Sequence, residues 1–142
     1  MNFAKGHRTT QQTQAEKQAE KERLSREKQL RLQPLALEYE GLADNFSHAI
    51  NEAIRAITAR NPMTTELVID RIKTTYANLG DRTMVNRTID DFRKNPMLRA
   101  LVKAEIMKDN PTVFSVVNDR FSPRLQELAA EIRAIEPGYK FN

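Results

Sequence analysis

The sequence predicts an all-α protein: an irregular bundle of about six helices preceded by a charged N-terminal helical arm. Three observations carry that prediction. Apolar side chains recur at alternating steps of three and four, the period of a helix face. No segment alternates apolar and polar residues over a useful strand length. Four of the six prolines follow Asn or Ser, in pairs suited to helix boundaries.

The arm comes first. Residues 1–15 are polar and nearly free of large apolar side chains, so burial cannot offset their ordering entropy; they are expected to be disordered when free. Phe3 is the arm's one aromatic residue, and His7 lies here too. Residues 16–33 are rich in Glu, Lys, Arg, Gln and Ala, all good helix formers. Glu22–Arg26 and Glu27–Arg31 are favourable pairs four residues apart. A charged helix is expected up to Pro34, which ends it or kinks it into the next.

Residues 34–60 form the rod around which the rest is expected to pack. Leu35, Tyr39, Leu42, Phe46, Ala49, Ala53 and Ala56 draw one stripe, widened by Ile50, Ile54 and Ile57. Asn61-Pro62 stops it, since a residue before proline is pushed away from helical angles.

Thr64-Thr65-Glu66 offers a cap and an acidic first turn for a helix facing inward with Leu67, Ile69, Ile72, Tyr76 and Leu79. Gly80 suits a left-handed C-cap. The next helix spans 82–94 with Val85, Ile89 and Phe92 inward. Asn95-Pro96 opens a helix lined by Leu98, Leu101, Val102 and Ile106. Asn110-Pro111 repeats the device before Val113, Phe114, Val117 and Phe121, and Ser122-Pro123 does so before Leu125, Leu128, Ala129, Ile132 and Ile135. Pro137-Gly138 ends the last helix, and Tyr139 and Phe141 are expected to close the base of the core, the alternative being to hook a partner. Met84, Met97 and Met107 are expected to fill gaps in or near it. Two regions result: an arm, 1–33, and an all-helical domain, 34–142.

Composition narrows the function. A chain of 142 residues can bury a core without metals or disulfides, and cysteine is absent. No stretch approaches membrane-spanning length, so a cytoplasmic protein making no membrane contact is expected. Size, helicity and charge fit an accessory or regulatory protein of a phage or bacterium. The whole basic excess sits in residues 1–33, with eight Lys and Arg against four Glu; the remainder is balanced at fifteen of each sign.

Nothing points to catalysis. Asp44, His48 and Glu52 make a row along the rod, but further metal ligands are not suggested, and a solvated polar face is the expectation. Asp90 and Asp91 diverge on a helix by roughly 100° and form no catalytic pair. Four scattered glycines build no phosphate loop, and no serine has a nucleophile-elbow context. No catalytic residue, cofactor or metal is therefore assigned.

The expected function is non-catalytic binding, through the arm, to nucleic acid or a nucleoprotein complex. Lys17, Lys21, Lys28 and Arg31 fall along one side with Leu24 between, and Arg23 and Arg26 add charge beside them. Such a row neutralises DNA or RNA phosphates without reading sequence. Arg82 and Arg87 join the set because the 64–79 and 82–94 helices around Gly80 loosely resemble a helix-turn-helix. The alternative is a protein-only inhibitor, adaptor or assembly component whose near-heptad stripe from Leu35 to Ala56 binds a partner helix or a copy of the same chain.

Overall fold

In the computed structural model the protein is all-α, an irregular bundle of six helices with no strand among the described residues. The structure describes residues 2–141, those from 13 onward with their side chains. The helices are α1 (Asn2–Arg60), α2 (Thr64–Asn78), α3 (Arg82–Val85), α4 (Ile89–Lys94), α5 (Pro96–Asp109) and α6 (Pro111–Ile135). The side chains of Phe3 and His7 lie outside the described set, while residues 2–15, expected to be disordered when free, form the first part of α1.

Helix boundaries differ from expectation in three places. Pro34 ends no helix, because α1 runs through it, and α6 runs through Pro123 in the same way. Each proline deprives the carbonyl four residues earlier of its N–H partner, here Leu30 and Asp119. Both prolines and both of those residues are exposed, so water can take the freed bonds. The third difference is a break where one helix was expected, over 82–94. Thr88 Oγ1 accepts from the Asp91 N–H at 3.1 Å, and Asp91 Oδ2 accepts from the Thr88 N–H at 2.9 Å. This reciprocal capping box starts α4 and separates it from α3. The bond from the Thr88 N–H holds the Asp91 carboxyl below its ordinary pKa.

Other local signals divide. Gly80 takes φ +87° after α2, as expected of a left-handed cap. Asn95 accepts from the N–H groups of Met97 and Leu98, with Pro96 in the first turn. Asn110 works the other way: its Nδ2 donates to the Ile106 carbonyl at 2.9 Å and so closes α5. Thr64 and Thr65 give α2 no side-chain cap.

Packing divides the chain into two compact units. One is Met1–Leu42 with Pro123–Asn142; the other is Ala43–Ser122. The division expected at 33/34 is one of composition, and these divisions fall elsewhere. In the second unit the core is built by α2, α4 and α5, from Val68, Ile69, Ile72, Phe92, Leu98, Val102 and Ile106. Ile69 and Ile106 are each 1% exposed. Ile54 and Ile57 of α1 lean on this core from outside. Phe46 meets Phe121 with ring centroids 5.5 Å apart.

The first unit buries Leu32 of α1 with Leu128 and Ile132 of α6. Arg124 of α6 grips Glu38 through Nε and Nη2 at 2.9–3.0 Å. The ring of Phe141 lies 4.7 Å from that of Tyr39 and 5.0 Å from that of Tyr139, with the Arg133 guanidinium 4.8 Å above it. The C-terminal aromatics thus close against α1.

Several core expectations need correction. No residue of the 34–60 stripe is fully buried; it is half-covered, and Ala56 is exposed. The rod is a wall, not the centre, because α2, α4 and α5 bury their faces on one another. Val85 and Ile89 are exposed, since the break at 86–88 removes them from one continuous face. Leu67 and Leu79 are exposed, and Val68 takes the inward place. Met97 is 75% exposed, at the start of α5, and fills nothing.

Replacing Ile106 by Ala empties the centre of the larger core and is expected to cost about 2–5 kcal/mol. Met97→Ala is expected to stay within about 0.5 kcal/mol of the parent. Urea unfolding of both variants checks this; equal midpoints would place the core elsewhere.

Candidate functional site

The predicted contact residues occupy distinct settings. Lys17, Lys21, Arg23, Arg26 and Arg31 are exposed on α1. Arg23 lies 3.8 Å from Glu20 and 4.0 Å from Glu27, so neighbouring carboxylates share its charge. Lys28 differs. It is half-buried, and its Nζ meets Glu136 Oε2 at 2.6 Å. The hydrogen bond from Lys28 is the main cause of a lowered Glu136 pKa. The expected row of Lys17, Lys21, Lys28 and Arg31 is therefore not uniform: its Lys28 is already engaged inside the first unit. Leu32, one turn beyond, is buried.

Arg82 opens α3, and Arg87 lies in the link before α4; both are exposed. A recognition helix would need several continuous turns. Here α3 has 4 residues and α4 has 6. The helix-turn-helix likeness thus lacks its second helix.

The far side of α1 carries a feature the rod's stripe concealed. Leu30 and Leu37 are 70% and 62% exposed. They are one heptad apart and so lie nearly in line, on a side roughly 140° around the helix from Leu35. Gly41 follows on the same side, and an added Cβ there would meet nothing within 4 Å. Arg26 precedes Leu30 by one turn and Glu40 follows Leu37 by three residues, both exposed. Ser25, Arg26, Gln29, Leu30 and Gln33 line a shallow hollow of about 290 Å³. The heptad spacing was available in the sequence; exposure was not, because periodicity does not say which side of a helix its neighbours cover.

The second unit has its own exposed apolar groups. Leu67 and Val113 border an open hollow of about 490 Å³ beside Arg60, Arg71 and Asp109. Arg71 bridges α2 to α5 through Glu105 at 2.9 Å and Asp109 at 2.7 Å, and the bond to Asp109 leads in raising its pKa.

On the polar side of α1, His48 Nε2 lies 3.6 Å from Glu52, with both side chains exposed. Among the described residues, no group of three or more His, Asp and Glu side chains is placed to hold a metal ion. No helix of the described residues is long and apolar enough to cross a membrane. Comparison with protein-family models, curated proteins and solved structures finds no match.

The Lys28–Glu136 pair gives a pH prediction. Folding holds Glu136 below its ordinary value of 4.5, so its contribution to stability is present above pH 4.5. That contribution is lost as pH falls from there through the lowered folded value. Glu136→Gln is expected to make thermal stability fall less steeply over that acid window. Parallel melting curves for parent and variant would count against the pairing.

Proposed function

We propose that the protein is a non-catalytic assembly component or adaptor that works by helix–helix contact, with α1 as the docking helix. The observation that carries this reading is the exposed Leu30–Leu37 pair, one heptad apart on an otherwise polar side of α1. Burying each leucine on a partner would contribute about 1.5–3 kcal/mol before the cost of association. The lack of cysteine fits a cytoplasmic setting.

A second copy of the chain is the first partner to test. Basic Arg23 and Arg26 precede the leucines, and acidic Glu40 follows them. An antiparallel copy would set Leu30 against Leu37 and bring the basic end of each helix to the acidic end of the other. Sedimentation equilibrium of the full chain is expected to show a dimer at high concentration. The double variant Leu30→Glu, Leu37→Glu is expected to remain monomeric with an unchanged helical circular dichroism spectrum. If parent and variant are both monomers at every concentration, a copy of itself is not the partner.

A second reading keeps nucleic acid as the arm's partner. Lys17, Lys21, Arg26 and Arg31 support it, because no acid pairs with them among the described residues. The excess charge is small, so binding to DNA or RNA would be weak and strongly salt-dependent. Titration at two salt concentrations, with and without residues 1–33, decides it: unchanged binding after removal of the arm contradicts this reading.

A further inference from the structure

A separate feature of the second unit stands apart from the α1 reading. An open hollow of about 270 Å³ lies where α1, α2, α4 and α5 meet. Its floor is the core itself: Ile69, Phe92 and Ile106 line it, and all three are almost fully buried. Every charged residue that lines it is a cation: Arg93, Arg99 and Lys103.

No carboxylate pairs with these three cations among the described residues, and most acids near the lining residues in sequence, Glu66 and Asp70 apart, are committed elsewhere. Asp90 takes Lys94 at 3.0 Å, and Asp91 is held in the capping box with Thr88. Glu105 and Asp109 are bound to Arg71. Lys103 reaches only a neutral partner, the Asn51 Oδ1 at 2.8 Å. Arg93 and Arg99 have no acidic partner among the described residues, and both are exposed. Three like charges thus surround an apolar depression with no counter-charge of their own.

We infer that this hollow docks an acidic helical segment of a partner protein, one bearing a single large apolar side chain with carboxylates on the adjoining turns. At about 270 Å³ the hollow lies at the lower edge of small-molecule pockets, which run from roughly 300 Å³, and it is open to solvent with room for a large apolar side chain presented by a partner. The apolar floor receives the anchor, and the guanidinium groups receive the carboxylates in forked hydrogen bonds. A bare anion would leave the apolar floor unused. A nucleic-acid strand could set phosphates against the cations but would leave the apolar floor unused, since Phe92, the hollow's ring, is 2% exposed and offers no stacking face.

The probe is a fluorescein-labelled helical peptide with one Leu flanked by Glu on the turns before and after it. Two counterparts carry Leu→Ser or Glu→Lys throughout. Anisotropy titration against the full chain at low salt is expected to show saturable binding of the first peptide. The Ser counterpart should bind more weakly, and the Lys counterpart should not bind. Arg93→Glu with Arg99→Glu should weaken binding by at least about tenfold. Arg93→Gln with Arg99→Gln should lie between, which keeps the test valid if charge reversal disturbs folding. Failure of the acidic peptide to bind, equal binding by the parent and both double variants, or equal binding of the Leu and Ser peptides overturns the proposal. Displacement of the peptide by an oligothymidine as effectively as by unlabelled peptide also overturns it, in favour of a general polyanion surface. None of these results depends on whether Leu30 and Leu37 mediate association, so the two readings stand or fall separately.

Discussion

The burial of Ile69, Phe92 and Ile106 against one another is the constraint on which the second unit depends. The helices that supply the core are short. With 15, 6 and 14 residues in α2, α4 and α5, none is long enough to be firmly helical in isolation. Each is held by its caps and by the face it buries. The capping box of α4 and the Asn95 cap of α5 set where each helix begins, and so which residues point inward. Phe92 reaches the core because α4 starts afresh at Ile89 and not as a continuation from Arg82.

Helix α1 obeys a different balance. Its 34–60 stripe is half-covered, and the helix's one buried residue, among those whose side chains are described, is Leu32, in the first unit. Its other side leaves Leu30 and Leu37 in water. Two leucines represent a few kcal/mol of apolar burial at most, comparable with the entropic cost of bringing two molecules together. A contact built on them would be weak and sensitive to flanking charge, as suits a component that assembles reversibly.

The basic excess of residues 1–33 is partly an internal matter. Lys28 fixes α1 to the C-terminal end of its unit through Glu136, and Arg23 is shared between two glutamates. Solvent reaches and screens these pairs, so they orient the helix more than they stabilise it. The Arg124–Glu38 grip does similar work one turn away from Leu42. In the other unit, Asp90 pairs with Lys94, Asp91 is held in the capping box, and Glu105 and Asp109 bind Arg71, while Arg93 and Arg99 pair with no acid among the described residues.

By itself the sequence determined the helical class, the cores around Leu98–Ile106 and Leu128–Ile132, the Gly80 and Asn95 caps and the concentration of basic charge in the arm. These depend on period, composition and signals a few residues long, all of which are local. The Thr88–Asp91 capping box was local as well and could have been read. Tertiary structure decided what local signals leave open. It settled that α1 and α6 pass through proline, because a proline on the exposed side costs less than losing the packed side. It also settled which of two stripes on α1 faces the protein and which cations lack a counter-charge. Both depend on neighbours distant in the chain, and helix periodicity carries no information about those.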